Sequence, residues 1–302
     1  MIKNIGYACI NTHLKPRGFK ECRIASVYKY GIDYLKKKKA MMNNLSLTKD
    51  ILKWNIEHDI YLYRVTSTLL PLVTHKDLLK DFSWRWQQDD NILEGLEEIK
   101  KIVIKENIRL SMHPDQFTVL NSPKEEVVHN SIIHLRYHQE VLTKMGGADL
   151  IIHTGGVYGE KEASIDRFIK NYENLDKELK KTLRLENDDK SYTIQDVLKI
   201  YKKINIPVVL DIHHHHCHQK DPHVPIDEII STWKNTNLIP KMHISSGREG
   251  ITDRRHHDYI LESDFLSFSN LIKNVDVDLM IEAKEKERAV LQIKEKFFMD
   301  RR

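Results

Sequence analysis

The sequence predicts an α/β protein, a single-domain closed (β/α)8 barrel over residues 1–302. Eight short runs with β-strand character alternate with segments of helical periodicity, the order of consecutive βαβ units in a parallel sheet. A chain of 302 residues suits eight such units, which close into a TIM barrel. No glycine-rich dinucleotide-binding motif follows any of the runs, which disfavours an open doubly wound sheet.

The predicted strands and helices alternate along nearly the whole chain. Each helical segment carries apolar residues on one face and polar residues on the other, so it can cover a sheet. The predicted strands are 5–10, 60–67, 108–113, 148–154, 182–187, 207–212, 240–246 and 277–283. The predicted helices between them include 91–107, 130–146, 164–181, 193–205 and 262–274.

Composition favours one intracellular domain. The 11 Gly and 8 Pro residues are scattered, and no linker rich in them divides the chain. No apolar run approaches roughly 18 residues, so we expect no membrane span, and the N-terminus lacks the pattern of a secretory signal. Cys9, Cys22 and Cys217 do not have the spacing of a metal or disulfide pair, which suits a reducing compartment. We therefore expect a cytoplasmic monomer, whose net charge of +4 permits a nucleic-acid partner without requiring one.

Polar residues recur where the predicted strands end. Side chains two apart share a face, so each strand has an aliphatic face and a face that ends on a polar residue. In a barrel the aliphatic face packs on the helices, and the polar ends converge at the mouth, where barrel enzymes carry their active sites. On the first strand this parity places Tyr7, Cys9 and Asn11 toward the mouth. The later strands contribute His113, His153, Glu186, Asp211, Lys241, His243 and Glu282.

Seven ionisable strand ends around one axis predict a metal cluster. Burying so many ionisable groups without counter-charges would be prohibitively costly. Neutral imidazoles and ionised carboxylates are usual ligands of divalent cations, and the share of carboxylates favours a hard or borderline ion. The set is larger than one ion can use. We predict two or three divalent ions per chain, Mn²⁺ in the first place, with Zn²⁺ and Mg²⁺ as alternatives.

Each of these residues also has a structural interpretation when it is taken alone. A histidine at a strand end is commonly hydrogen-bonded within the fold, and a carboxylate there commonly caps the next helix. For Lys241 the alternative is an amine that points away from the cluster to a carboxylate. The agreement of seven strand ends in parity and position favours the metal cluster over separate coincidences.

The chain carries a series of motifs that occur in order from residue 5 to about residue 288. They are GYACIN, YRVTS, SMHPDQF, IIHTGG, RLEND, VLDIHHH, KMHISS, RRHHDYI and MIEAKEKE. Each motif is weak alone, but the set is specific, and together they resemble the UV damage endonuclease family. That family is similar to the three-metal apurinic endonucleases and, more distantly, to sugar isomerases with the same barrel.

The resemblance implies which members of the histidine run in PVVLDIHHHHCHQ (207–219) bind metal. Asp211 closes the sixth strand, and His214 reaches back from the following loop. The other histidines of the run, His213, His215, His216 and His218, are then either bystanders or groups that hold the ligands in position. The implied ligands are His113, His153, Glu186, Asp211, His214, His243, His256 and Glu282.

The resemblance also implies two catalytic residues. Glu186, central by position, would be the bridging ligand. Lys241 shares a face with His243, and the matching lysine of the family is carboxylated on its amine. This makes physical sense, because an ammonium group would be repelled by neighbouring cations, whereas a neutral or carboxylated lysine can lie among them.

Contacts with DNA are implied as well. In the family, the positions that match Tyr7, Asn11, Gln116 and Phe117 probe the duplex at the lesion, where damaged bases are extruded. Phe117 can stack on a base but lacks the hydroxyl of the tyrosine that is usual there. Asp115 replaces the usual glycine and adds negative charge near phosphate.

The roles of three further charged residues stay open. Arg64 and Arg109 are each candidates for a phosphate contact, and each has a structural salt bridge as its alternative. Apurinic endonucleases carry an aspartate two residues before the loop histidine. Here Asp253 precedes His256 by three, so we do not count Asp253 as a ligand.

The reaction implied is metal-dependent hydrolysis of the phosphodiester immediately 5′ to a UV photoproduct in duplex DNA, which initiates excision repair. The expected photoproducts are cyclobutane pyrimidine dimers and 6-4 photoproducts. An apurinic/apyrimidinic-site endonuclease and a metal-dependent sugar isomerase or epimerase are alternatives on the same barrel. A non-enzymatic alternative treats HHHHCH as a metal-sequestering tract on an inert scaffold.

Overall fold

The structure, a computed structural model, describes residues 1–15, 17–32, 39–218 and 223–298. Within these ranges eight parallel strands pair in chain order, and β8 pairs with β1 to close the barrel. The predicted (β/α)8 barrel is therefore confirmed. The strands are Ile2–Ala8 (β1), Leu62–Val65 (β2), Arg109–Met112 (β3), Asp149–His153 (β4), Leu183–Glu186 (β5), Val208–Asp211 (β6), Lys241–Ile244 (β7) and Val277–Ile281 (β8).

Helices connect the strands in sequence. Within the described residues they are Ile24–Tyr30 (α1), Lys39–Glu57 (α2), Lys76–Asp81 (α3), Asp90–Lys105 (α4), Glu125–Lys144 (α5), Lys161–Glu173 (α6), Lys177–Thr182 (α7), Ile194–Ile204 (α8), Ile212–His218 (α9), Ile226–Ser231 (α10), Glu262–Leu271 (α11) and Glu287–Phe298 (α12). Four of the predicted helices match α4, α5, α8 and α11. None of the described helices is long and apolar enough to cross a membrane.

The segment 164–181, predicted as one helix, is two helices. α6 ends at Glu173, and α7 begins at Lys177 after a short break. The side chain of Asp176 accepts a hydrogen bond from the backbone N–H of Leu179 at 2.8 Å, which caps α7. An aspartate at this position favours a new helix start because it satisfies a backbone donor that has no partner within the helix.

The face assigned to the first strand was wrong. Ala8, not Tyr7, faces the barrel axis, where it packs with Leu62 and Met280. Tyr7 lies on the helix side, and its hydroxyl donates to Asn55 of α2 at 2.7 Å and accepts from Asn11 at 2.9 Å. A tyrosine can bury its ring among apolar side chains while its hydroxyl finds a local partner, so its polar tip did not indicate the mouth.

A network of buried charges fills the lower half of the barrel, at the amino ends of the strands. Asp149 lies 2.8 Å from Arg109, 3.0 Å from Arg184 and 3.0 Å from Lys241, and Arg109 also reaches Asp278 at 2.7 Å. Burial would raise the pKa of Asp149, but Lys241, Arg109 and Arg184 hold it well below its ordinary value. The network closes the barrel below the mouth, which restricts ligand access to the carboxyl ends of the strands.

Candidate metal centre at the carboxyl end of the barrel

Six of the predicted strand-end residues converge at the mouth. His113, His153 and Glu186 form one group, and Glu186, Asp211, His243 and Glu282 form another. In each group the candidate ligand atoms lie within 4.8 Å of one another. Glu186 belongs to both groups. The convergence follows from closure of the barrel, because the last inward-facing residues of β4 to β7 meet around one axis and His113 and Glu282 immediately follow β3 and β8.

Glu186 holds the two groups together. Its Oε1 lies 2.8 Å from His243 Nδ1, and its Oε2 lies 3.2 Å from His113 Nε2 and 3.9 Å from His153 Nε2. The side chain is only 1% exposed. Burial would raise the pKa of Glu186, but His243, His153 and His113 lower it well below its ordinary value. Because its two carboxylate oxygens face different histidines, Glu186 links the two groups of candidate ligands.

Asp211 Oδ2 is buried and has no hydrogen-bond partner among the described residues. The same is true of His153 Nδ1 and His243 Nε2, the ring nitrogens opposite those nearest Glu186. Buried polar atoms are almost always paired, and an unpaired one costs about 1–3 kcal/mol. The donor set of imidazoles and carboxylates, together with the unsatisfied Asp211 Oδ2, fits divalent cations.

Asn187, which sequence reasoning missed, holds two candidate ligands in place. Its amide Nδ2 donates to the carbonyl of Asp211 at 3.0 Å, and its Oδ1 accepts from the N–H of Asp211 at 2.9 Å. The backbone carbonyl of Asn187 lies 3.0 Å from His214 Nδ1. Although burial opposes it, the carboxylates of Asp211 and Glu186 raise the pKa of His214 to about 9. The only sequence signal for Asn187 was its place in RLEND, directly after Glu186.

The histidine run forms a short helix, α9, and not the loop that was expected. The ring of His214 lies 5.8 Å from that of His153, between centroids, on the side of the metal centre. The ring of His213 packs 5.7 Å from that of His256, and His218 Nε2 lies 2.8 Å from the carbonyl of Asp188. A helix points successive side chains about 100° apart, which separates the members of the run.

His256 lies beside His213 and belongs to neither group of converging ligands. An antiparallel bridge between Gly247 and His256 fixes its backbone, and His257 N–H donates to the carbonyl of Ser246 at 2.8 Å. Asp253, which was not counted as a ligand, is bonded to Arg255 within the same loop. This loop therefore places His256 at the edge of the mouth.

Lys241 does not lie at the rim where it was expected. It is the first residue of β7, two residues below His243, and its Nζ pairs with Asp149. The side chain is fully buried, and burial lowers the pKa of Lys241 to about 8 despite Asp149. The strand parity was correct, since Lys241 and His243 both face the axis, but parity carries no information about depth. The alternative, an amine directed to a carboxylate, describes this structure.

Arg64 and Arg109 both make structural salt bridges. Arg64 donates to Glu282 Oε1 at 2.6 Å with a side chain only 12% exposed, and Arg109 belongs to the lower network. Burial would raise the pKa of Glu282, but Arg64 and His243 hold it well below its ordinary value. In this structure the Arg64 guanidinium group is directed to a candidate ligand, as in the salt-bridge interpretation, and the phosphate contact stays a prediction.

The residues expected to contact DNA divide into two pairs. Gln116 and Phe117 are exposed on the loop after β3, with Phe117 76% exposed, so they are open to a ligand. The adjacent Asp115 accepts from Phe117 N–H at 2.8 Å, which gives this unusual aspartate a role in shaping the turn. Tyr7 and Asn11 are buried and bonded to each other, so in this conformation they do not reach a duplex.

A cavity of about 460 Å³ lies between α2 and the loops that follow β1 and β2. It is lined by apolar groups such as Ile10 and Phe19 and by polar groups such as Asn11 and Thr66. Cys9, at the start of this lining, adopts a left-handed backbone with φ 66° and donates its N–H to the carbonyl of Arg64.

Fold and site together define a class: (β/α)8 barrels that gather histidines and carboxylates at the mouth in groups that could hold metal ions. The family described as UV-endonuclease UvdE matches residues 3–300. The chain belongs to that family.

Curated relatives agree with this membership. A protein of Bacillus mycoides (strain KBAB4) named UV DNA damage endonuclease is 38% identical over 265 residues, which is 83% of this chain and 80% of that protein. Another of the same name, from Bacillus velezensis, is 37% identical over 83% of this chain and 79% of its own length.

Solved structures agree as well. The match to the crystal structure of SacUVDE covers 97% of this chain and 98% of the SacUVDE chain, with a TM-score of 0.84 and 33% sequence identity. Endonuclease IV from Thermus thermophilus covers 84% of this chain and 94% of its own, with a TM-score of 0.56 and 13% identity. The second likeness shows the shared barrel fold alone.

Proposed function

We propose that this protein is a metal-dependent DNA endonuclease that cuts a strand immediately 5′ to UV photoproducts in duplex DNA. Cyclobutane pyrimidine dimers and 6-4 photoproducts are the proposed lesions, and the nick would initiate excision repair. The observation that carries the proposal is the pair of ligand groups joined by Glu186. Family membership supports the choice of substrate. We further propose that the protein acts as a cytoplasmic monomer.

The proposed ligands are the residues of the two groups, together with His214 and His256 at the edge of the mouth. Two or three divalent ions, Mn²⁺ foremost, would lower the pKa of a bound water and stabilise the charge that develops on phosphate and on the leaving 3′-oxygen. Glu186 keeps its carboxylate ionised in a buried site, because three histidines lower its pKa. The Asn187 amide and the Arg64 guanidinium orient Asp211 and Glu282 before any ligand binds.

We also propose that Lys241 is carboxylated in the active protein. Its amine is fully buried with a pKa lowered to about 8, so an unprotonated fraction is available to add to carbon dioxide with release of one proton. Ser111 Oγ and Arg109 Nη2 are buried donors without partners among the described residues. Ser111 is paired in register with Asp149, the carboxylate partner of Lys241. A carbamate on Lys241 would offer acceptors to such donors.

Carboxylation of Lys241 can be observed directly. Protein incubated with ¹³C-labelled bicarbonate should show a carbamate carbon resonance that is lost in Lys241→Met and retained in Lys284→Met, an exposed lysine of the loop after β8. If the wild-type protein shows no carbamate carbon resonance under the same conditions, Lys241 is not carboxylated.

Nicking of a defined duplex tests the proposed reaction. The wild-type protein with Mn²⁺ should cut a duplex that holds one pyrimidine dimer at the phosphodiester 5′ to the dimer, and leave the intact duplex uncut. An abasic duplex in parallel separates this activity from that of an apurinic/apyrimidinic endonuclease. Glu186→Gln should lose nicking while it still binds the damaged duplex. Cleavage of damaged and intact duplex at equal rates, or of neither, would overturn the proposal.

A further inference from the structure

The loop after β4 exposes a second large aromatic side chain at the mouth. Tyr158 lies five residues after His153 and is 47% exposed. Phe117 lies four residues after His113 on the neighbouring loop. The rings of His113 and His153 are 4.9 Å apart, between centroids. Each of these two adjacent candidate ligands is thus followed by an exposed ring on the loop that leaves its strand.

The two loops are joined by hydrogen bonds and packing. Asn121 of the Phe117 loop donates through Nδ2 to the carbonyl of Gly156 at 2.7 Å. A Cβ on Gly155 would lie 2.3 Å from Asn121 Oδ1 and 3.0 Å from the Val119 side chain, so these two side chains pack against the Gly155 backbone where only glycine fits. Phe117 and Tyr158 are therefore carried by two loops that contact each other directly.

Tyr158 is held in a backbone conformation that a tyrosine rarely adopts. Its φ is 50°, in the left-handed region, where L-residues other than glycine, asparagine and aspartate are uncommon. Gly155 and Gly159 on either side also have positive φ, at 113° and 92°. A glycine at position 158 would adopt this backbone conformation with less strain. The surrounding structure must therefore hold Tyr158 in it.

The surrounding structure fixes the ring. The carbonyl of Gly156 accepts from Tyr192 as well as from Asn121, with a distance of 3.0 Å to the Tyr192 hydroxyl. The Tyr158 ring packs so close to Gly156 that a Cβ there would lie 3.2 Å from ring carbons. The Arg167 guanidinium lies 6.0 Å from the ring centroid and is itself bonded to the carbonyl of Asn121. The ring is pre-positioned, and part of its surface stays open to solvent.

We propose that Tyr158 stacks on a base of the distorted duplex and acts with Phe117 as a second aromatic contact. The inference rests on the proposed function, since it needs DNA at this face. A base exposed by unstacking has an open π-face, and aromatic side chains recognise such bases by stacking without reading their sequence. Loss of one stacking contact typically weakens binding by about 5- to 100-fold.

Two variants at position 158 separate stacking from structure. Tyr158→Phe keeps the ring, and Tyr158→Gly removes it while it relieves the left-handed strain. The matched control is Ile104→Ala, an exposed apolar residue (64% exposed) in the last turn of α4, at the opposite end of the barrel. Each variant is assayed for KM and kcat on a dimer-containing duplex with 2-aminopurine next to the lesion, and for metal content and Tm.

Tyr158→Gly should raise KM by about 5- to 100-fold, change the 2-aminopurine signal of the bound duplex, and leave metal content and Tm no lower than in the wild type. Tyr158→Phe and Ile104→Ala should behave as the wild type does. An unchanged KM and unchanged fluorescence in Tyr158→Gly, with the wild type active, would overturn this inference alone. A defect in Tyr158→Phe equal to that in Tyr158→Gly would overturn stacking, and a wild type that does not nick would overturn the proposed function as well.

Discussion

The side-chain amide of Asn187 pairs with the backbone of Asp211 in both directions, at 2.9 and 3.0 Å. Asn187 directly follows β5 and Asp211 ends the adjacent strand β6, and the last backbone pair between these strands is Glu186 with Val209. The Asn187 amide therefore extends the strand pairing with a side chain. It does so at the point where β5 and β6 each present a carboxylate, Glu186 and Asp211, to the metal centre.

Asn187→Ala should lower both metal affinity and stability. Two buried hydrogen bonds are lost, which reduces the free energy of unfolding of the metal-free protein by about 1–3 kcal/mol. Asp211 also loses its fixed position, so metal content after dialysis should fall. Asn174→Ala, which removes an exposed amide bonded to the carbonyl of Lys170, is the control. Equal metal content in Asn187→Ala and wild type would show that Asn187 has only a structural role.

Arg64→Met tests whether Arg64 serves Glu282 or DNA. Removal of one partner of a buried ion pair typically costs about 3–5 kcal/mol, so denaturant unfolding of the metal-free protein should show a large loss. The affinity for intact duplex and its salt dependence should stay as in the wild type, because the guanidinium group faces inward. A double variant with Glu282→Gln should recover part of the stability. If the slope of log affinity against log salt concentration falls by the amount expected for about one phosphate contact, Arg64 contacts DNA.

The pH dependence of stability should report a buried histidine far from the metal centre. Burial lowers the pKa of His138, on α5, to about 4, whereas an unfolded histidine titrates near about 6.5. Between these values the unfolded state binds more protons, so stability falls as pH falls from about 6.5 to about 4. The loss attributable to His138 is about 3 kcal/mol.

Urea unfolding of wild type and His138→Leu across this range measures that dependence. The variant cannot titrate at position 138, so its stability should depend less on pH between about 6.5 and 4. His129→Leu, an exposed histidine on the same helix, is the control. If the free energy of unfolding depends on pH in the same way in the wild type and in His138→Leu, the pH dependence does not come from His138.

Replacement of His215 and His216 by glutamine should leave metal content nearly unchanged. The helix α9 directs His214 toward Glu186, and His214 Nδ1 lies 3.8 Å from Glu186 Oε1. The same helix turns the rings of His215 and His216 in other directions. His214→Gln should reduce metal content, as measured by elemental analysis of the dialysed protein. A sharp loss of metal from the His215 and His216 variant would favour the metal-sequestering alternative.

Much of the barrel could be predicted from the sequence because strands and helices have different periods. Strand parity also selected His113, Glu186 and His243, since an alternating pattern shows which side chains share a face. Parity does not show depth, and Lys241 therefore lies one layer below its expected position. Parity also cannot show which face an amphipathic residue occupies. The hydroxyl of Tyr7 finds its hydrogen-bond partner, Asn55, in the helix layer.

Other features depend on tertiary contacts that no local pattern reports. The side chain of Asn187 bonds to a residue 24 positions away. The histidine run has no apolar periodicity, so its helix, which follows directly on a buried strand end, gave no signal. The left-handed backbone at Tyr158 arises from the glycines around it and from the loop packed against them.

Metal-dependent nicking at a defined lesion tests the central claim most directly. Protein stripped with chelator and then reloaded with Mn²⁺ is assayed on three duplexes that differ at one site, dimer, abasic and intact, while the bound metal is counted. We expect at least two ions per chain, a single cut 5′ to the dimer that depends on them, and no cut in the intact duplex. A chain that binds no more than one ion, or that cuts the dimer duplex equally well after stripping, would contradict the account.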